Sequence, residues 1–265
     1  KFEQYLGRLG SEAGAIYKVR HRVTGLKREN FSWQVTTTQG EYSAKVVIDT
    51  SGVAGAASKL LQMNPEPKKV VGLQYEMSPI ENDGFIEFFL WPKLAPHGYI
   101  WIIPKKNDRA NVGLVTADAP STRRLLEQFI DEWGLREKKN VKAFGGFIPA
   151  SGPMPNTYAD GIMLAGDAAG FTSPMFEGGT ALAMTSGKFA SEVAAEAIGK
   201  GDTSKASLAK YESLWRKEFP DYGKLIGGKD AIYRFSDTDL NRICSLIPRD
   251  LTNLSMPDKA NVGLK

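Results

Sequence analysis

The stretch Ile162-Met163-Leu164-Ala165-Gly166-Asp167-Ala168-Ala169-Gly170 decides how this chain is read. Ile162 to Ala165 form an apolar run too short for a helix and suited to a strand buried on both faces. The run passes straight into a turn bounded by glycines and carrying one acid, Asp167. Phe171-Thr172-Ser173-Pro174-Met175-Phe176-Glu177-Gly178-Gly179 follows, and then a segment rich in small residues that predicts a long helix. Ligands on open α/β sheets bind beyond the carboxyl ends of strands. A glycine there lets backbone approach a ligand, and an aspartate can accept hydrogen bonds from sugar or ribityl hydroxyls. Gly178 and Gly179 leave amides free at the helix start, where the helix dipole favours negative charge.

A glycine-rich helix start can also serve packing alone. Ala181, Ala183, Ala190, Ala194 and Ala195 would let such a helix lie close to a sheet. Turn, acid and glycine pair together favour a cofactor. A flavin fits, because its reduced ring is anionic around N1 and the C2 carbonyl, where donors stabilise it.

Working outward, Val46-Val47-Ile48 predicts a second buried strand, which runs into Asp49-Thr50-Ser51-Gly52 and so also ends in an acid and a glycine. Phe2, Tyr5, Leu6 and Leu9 repeat at helical spacing, ending near Gly14. Tyr17 to Val23 alternates, as do Phe31, Trp33 and Val35, and a turn at Gln39-Gly40 predicts an antiparallel meander whose last strand ends in Val46-Val47-Ile48. From Lys68 to Val115, Phe85, Phe88-Phe89, Tyr99-Ile100-Trp101 and Val112-Gly113-Leu114 predict a second sheet. Ser121 is placed to cap a helix carrying Leu125, Leu126, Phe129, Ile130 and Trp133, closed by Gly134. Beyond Gly201 the pattern is helical, with Tyr211, Leu214, Trp215 and Phe219 on one face. The fold class is α+β with a mixed sheet, one sheet region interrupting another.

Composition narrows the function classes. With 265 residues, 42% hydrophobic and 24% charged, the chain is an ordinary globular protein. Its net charge of +4 is spread among acids, so no nucleic-acid arm is present. One cysteine, Cys244, precludes an intramolecular disulfide and fits a reducing compartment. With only His21 and His97 beside that thiol, no zinc cluster or other metal site is expected. Apolar runs such as 100–103 fall far short of the ~20 residues that span a bilayer. Gly223 to Asp230 nearly spells a phosphate-binding loop, but Asp230 stands where a Ser or Thr is needed and no strand precedes it. A helix–helix turn is expected there. No Gly-x-Ser-x-Gly elbow is present.

Gly166-Asp167-Ala168-Ala169-Gly170-Phe171 with Pro174 and Gly178-Gly179 resembles the second FAD-binding motif of the p-hydroxybenzoate hydroxylase-like flavoproteins. Within them, Tyr99-Ile100-Trp101-Ile102-Ile103-Pro104 resembles the Tyr-x-Trp-x-Phe-Pro cavity motif of the geranylgeranyl reductases, with Ile103 in place of Phe. Asn111-Val112-Gly113-Leu114 and Gly145-Gly146 with Pro149 are similar to further elements of that family. The resemblance covers about residues 1–220.

It implies a truncated FAD/NAD(P)-binding type mixed sheet at 1–66 and 145–200, an inserted antiparallel substrate sheet at 67–144, and a helical C-terminal region at 201–265. It implies FAD as cofactor, with Asp167 on the ribityl chain, Gly178 and Gly179 at the pyrimidine ring, and Gly166, Pro174, Asp49 and Gly52 nearby. Ser51 stands where relatives carry an Asp. Tyr99, Trp101, Gly145, Gly146 and Phe176 would line an apolar substrate cavity, with Tyr99 the candidate proton donor by position. Core packing explains the aromatics of this strand equally well. The reaction implied is hydride transfer from reduced FAD to an isoprenoid C=C bond of a lipid or pigment, with an electron donor the sequence does not name.

The Gly-x-Gly-x-x-Gly unit with which relatives begin has no counterpart here. An upstream segment or a partner chain is expected to supply it, and this chain alone is expected to bind FAD weakly. A cytoplasmic location with scope for peripheral membrane contact is implied. Two other readings stay open: a flavin monooxygenase or quinone-linked dehydrogenase, and a flavin-free fragment that binds lipid or another subunit.

Overall fold

In the computed structural model the described residues are 2–81 and 83–246. An exposed helix α1 (Phe2–Glu12) is followed by β1 (Val23–Glu29), β2 (Ser32–Thr37) and β3 (Gly40–Ala44), a three-stranded antiparallel meander. β4 (Val47–Asp49) leaves it, and α2 (Ala56–Leu60) follows. β5 (Lys69–Ser78), β6 (Glu87–Phe89), β7 (Tyr99–Lys105), β8 (Arg109–Thr116) and, after α3 (Thr122–Glu132), β9 (Lys139–Pro149) form an antiparallel sheet in the order β6-β7-β8-β5-β9. β10 (Tyr158–Ala159) and β11 (Ile162–Leu164) then return to β4, with β11 parallel to it. The chain ends its described part with α4 (Thr180–Lys200), α5 (Lys205–Leu208), α6 (Lys210–Glu218), α7 (Tyr222–Ile232) and α8 (Asp237–Ser245). The C-terminal part of the expected helical region, 247–265, lies outside the described residues.

The parallel partnership of the two acid-ended strands follows from their sequences. Ile162, Met163 and Leu164 are buried on both faces, which only a strand covered on both sides satisfies. α4 covers one side with Ala190, Val193, Ala194 and Ala197, while Ala181 and Ala195 point outward. Trp33, Phe171, Tyr211, Trp215 and Phe219 complete this core. Tyr211 donates its hydroxyl hydrogen to the Leu164 carbonyl at 2.5 Å, pinning α6 to the end of β11. Tyr211→Phe leaves that carbonyl buried and unpaired, and denaturant unfolding is expected to register a loss of about 1–3 kcal/mol.

The second core lies under the antiparallel sheet. Ile100, Ile102, Val112, Leu114 and Tyr75 pack against Leu125, Leu126, Phe129 and Ile130 of α3. Only one face of this sheet is covered by that helix.

Several local expectations are corrected. The alternation from Tyr17 builds no strand before Val23: Tyr17 and Val19 are exposed, and the Tyr17 ring lies against Gly10 of α1 rather than on a sheet. Phe31 sits exposed at the β1–β2 turn beside Asn30, whose φ is +53°. Phe85 precedes β6, and Val46 lies between β3 and β4, so the meander stops at Ala44. The Ser121 hydroxyl caps nothing. The chain enters α3 through a 3-10 turn in which Asp118 accepts from the Ser121 amide. Gly223 to Asp230 is not a turn but lies inside α7. β9 runs unbroken across 144/145, so Gly145 and Gly146 belong to the antiparallel sheet.

Candidate functional site

The carboxyl ends of β4 and β11 lie side by side, and a cleft of about 410 Å³ opens beyond them. That volume is in the range of small-molecule sites, about 300–1,000 Å³. Thr50 and Gly52 line it from the β4 end, Ala165, Gly166 and Asp167 from the β11 end, and Glu177, Gly179, Thr180 and Ala183 from the start of α4.

Gly166 to Ala169 make a 3-10 turn closed by Gly170 at φ +73°. A Cβ on Gly170 would lie 2.2 Å from the Gly152 carbonyl oxygen, so the left-handed backbone and the close approach both require glycine. The turn presents Asp167 to the cleft. Thr172 Oγ1 donates to Asp167 Oδ1 at 2.7 Å, and Oδ2 takes no hydrogen bond among the described residues. Ser186 of α4 accepts from the Gly166 amide at 3.0 Å, locking helix to turn.

α4 begins at Gly179 with no side-chain cap, and its first backbone bond runs from Ala183 N to Gly179 O. The amides before Ala183 at this helix end therefore stay available beside the cleft. A Cβ on Gly179 would crowd Asp167 Oδ1 at 3.2 Å and Thr172 Oγ1 at 3.4 Å. Gly178 is exposed, and its carbonyl accepts from the Ser173 amide, closing the loop, while Pro174 is buried beneath it. A half-free carboxylate, uncapped helix amides and a glycine-lined floor fit a polar, partly anionic cofactor.

Asp49 has a different place. Its Oδ1 accepts from Ser51 N and its Oδ2 from Ala57 N, each at 2.8 Å. The carboxylate shapes the loop and starts α2, so the backbone of Thr50 and Gly52, rather than the Asp49 side chain, faces the cleft. On the far side of β4 lies an apolar groove of about 860 Å³ lined by Val47, Ile48, Ala57 and Leu60 among others, and β4 is the edge strand of its sheet.

The face of the antiparallel sheet away from α3 carries Tyr99 and Trp101, with Tyr99 buried in a small cluster with Val70 and Val115. Trp101 pairs with Phe88 and Gly113, and Gly113 pairs with Gln74, so these share one face. The Trp101 ring lies over Gly113, where a Cβ would come within 2.7 Å of it, and Nε1 donates to Gln74 Oε1 at 3.1 Å. Tyr99 stands on the same face, 5.5 Å from Trp101 and from Phe88, and 5.7 Å from Phe176. Its hydroxyl donates to the Phe176 carbonyl at 2.5 Å, tying β7 to the loop that precedes α4. Gly146 pairs with Gly72 on this face, but Gly145 pairs with Leu73 and faces the opposite way. The two glycines therefore do not act as a unit.

Glu177 went unnoticed in the sequence. It sits in the cleft at φ +48°, a conformation disfavoured for any residue with a Cβ. Its side chain is 3% exposed; Oε1 accepts from Lys229 of α7, and Oε2 is buried with no hydrogen-bond partner. Burial pushes its carboxyl up to about 7, with Lys229 opposing the rise. Burial also raises Tyr99 above the ordinary phenol range, reinforced by the charge of Glu177. No pattern in the sequence joins Glu177 to Lys229; only the packing of α7 does.

A family profile described as the geranylgeranyl reductase catalytic domain matches residues 69–148, which span β5 to β9. A digeranylgeranylglycerophospholipid reductase from Methanocaldococcus jannaschii is 32% identical over 96% of this chain and 69% of its own length. The chain belongs to the geranylgeranyl reductase family. Among solved structures, a geranylgeranyl bacteriochlorophyll reductase-like protein from Thermoplasma acidophilum shares the fold at a TM-score of 0.87, with 27% identity, covering 97% of this chain and 69% of that one. The flavin-dependent halogenase CmlS shares it at 0.70, with 20% identity, covering 99% and 57%. The chain spans about two thirds of the length of its curated relatives. The family is thus one of oxidoreductases whose named members reduce isoprenoid lipids and whose fold is shared by flavin-dependent enzymes. Among the described residues, no helix is long and apolar enough to cross a membrane.

Proposed function

We propose that this chain carries the substrate sheet and half of the FAD site of a reductase that saturates C=C bonds in the geranylgeranyl chains of a glycerophospholipid. One observation carries the reading: the Tyr99–Phe176 hydrogen bond joins the aromatic face to the loop leading into Gly178-Gly179. An apolar chain lying on Phe88, Tyr99 and Trp101 is thereby placed beside a polar cleft suited to a flavin. When bound, reduced FAD supplies the hydride. Asp167 Oδ2 would accept from a ribityl hydroxyl, and the free amides at the start of α4 would face the negative edge of the ring. The Tyr99 hydrogen is committed to the Phe176 carbonyl, which makes Tyr99 a positioning group rather than an acid. The open edge of β4 and the apolar groove beside it suit a further strand, from an upstream segment or a partner chain, that would complete the dinucleotide site. The substrate headgroup would stay at the membrane surface.

The test uses full-length protein with FAD, dithionite as reductant and a geranylgeranyl glycerophospholipid in vesicles. Mass spectrometry is expected to show a gain of two hydrogens per saturated isoprene unit. Trp101→Ala is expected to raise KM for the lipid about tenfold or more, since a large apolar contact area is lost. A hydroxylated or halogenated product with oxygen consumption would contradict the reading.

A further inference from the structure

We propose that Glu177 is the proton donor of the reduction and that Lys229 of α7 controls its protonation; this rests on the reductase reading above. Saturating an alkene takes a hydride on one carbon and a proton on the other, and the second requirement needs an acid beside an apolar cavity. Glu177 stands at the junction of the two regions, lining the polar cleft next to Phe176 of the aromatic face. Its side chain is 3% exposed, and Oε2 is buried without a partner, the one carboxyl oxygen among the described residues that is both dry and uncommitted. Its neighbour Phe176 belongs to the aromatic cluster on which the chain would lie. The left-handed backbone at Glu177 holds the side chain there at a conformational cost that packing by α7 offsets.

Four charged or titratable groups surround Glu177. Lys229 of α7 bonds Oε1, Tyr99 of β7 stands close enough to feel its charge, and so does Tyr233 just beyond α7. Asp167 lines the same cleft. Tyr99 and Tyr233 donate their own hydrogens to backbone carbonyls, of Phe176 and Gly98, and both are raised by burial, so neither competes as an acid. Burial favours the protonated form of Glu177, and the charge and hydrogen bond of Lys229 oppose it.

The step balances as follows. The C=C π bond breaks. A hydride, furnished with its electron pair by the flavin class of reductant, forms the C–H bond at one carbon. The O–H bond of Glu177 breaks, its electron pair remains on the carboxylate, and the proton bonds the other carbon through the π pair. The carboxylate is left against the Lys229 ammonium and takes its next proton from water.

The test compares wild-type, Glu177→Gln and Lys229→Met full-length protein, each loaded with FAD. In protein carrying 13C-labelled glutamate carboxyls, NMR is expected to show one carboxyl titrating near pH 7. That signal should vanish in Glu177→Gln and move to higher pH in Lys229→Met, because the cation that favours the carboxylate is gone. Re-oxidation of dithionite-reduced flavin by the geranylgeranyl lipid is expected to slow about 100-fold or more in Glu177→Gln, the usual scale for a missing general acid. Glu177→Gln turning over within threefold of wild type would overturn the proposal, as would the lack of any glutamate titrating above pH 6 in wild type. Should Glu177→Gln fail to fold, the wild-type and Lys229→Met titrations still decide. A wild type that holds FAD and reduces the lipid while Glu177→Gln does so equally well refutes this inference alone. A wild type that cannot reduce the lipid refutes the reductase reading and this inference with it.

Discussion

Asp167→Ala in the full-length protein is expected to weaken FAD binding by about 10- to 100-fold, corresponding to a lost hydrogen bond to a charged group of about 1.5–3 kcal/mol. The turn that carries Asp167 is rigid: Gly170 closes it, Ser186 holds its first amide, and Thr172 orients the carboxylate. The carboxylate is therefore held in place before any ligand arrives, and little ordering entropy would offset a bond made by its free oxygen. Fold stability should change little, because the carboxylate is only half-buried and its side-chain partner is a single hydroxyl. Flavin retained through gel filtration and the dissociation constant from fluorescence quenching measure the effect. Unchanged affinity would show that Asp167 does not touch the cofactor.

Phe171→Ala is expected to cost about 3–5 kcal/mol of unfolding free energy, the range for deleting a fully buried aromatic ring. Phe171 is fully buried directly after the Gly170 turn. Its ring meets Trp215 at 5.0 Å, on the helix that Tyr211 pins to β11, and Phe219 edge-on at 4.9 Å, just after the end of that helix. Removing it opens a cavity under the turn that aims Asp167, so FAD affinity should fall along with stability. Urea denaturation followed by tryptophan fluorescence checks the first effect, and flavin retention the second.

How much of this was legible in the sequence depends on the reach of each signal. The apolar run before Gly166 was legible as a strand buried on both faces, which β11 is, whereas Val47 and Ile48 of its parallel partner β4 are only half-buried beside the groove. Period-two alternation placed Tyr99 and Trp101 on one face, as their pairings with Val115 and Gly113 show. Alternation misled at Tyr17 and Val19, which are exposed and pair with no strand. Residue type alone does not distinguish the roles of Asp49, since an aspartate after a strand serves equally well to receive the amides of its own loop, as this one does. Glu177 and Lys229 are 52 positions apart, and no local pattern links them. A segment set aside as a spoiled phosphate loop turned out to be the helix that brings the cation to the site.

The most direct test of the central assignment is a crystal structure of the full-length protein with FAD bound. The isoalloxazine ring should rest between the 166–179 segment and the face bearing Tyr99 and Trp101, with the ribityl chain on Asp167. A ring seated in the groove beyond β4, or anywhere away from the start of α4, would contradict it.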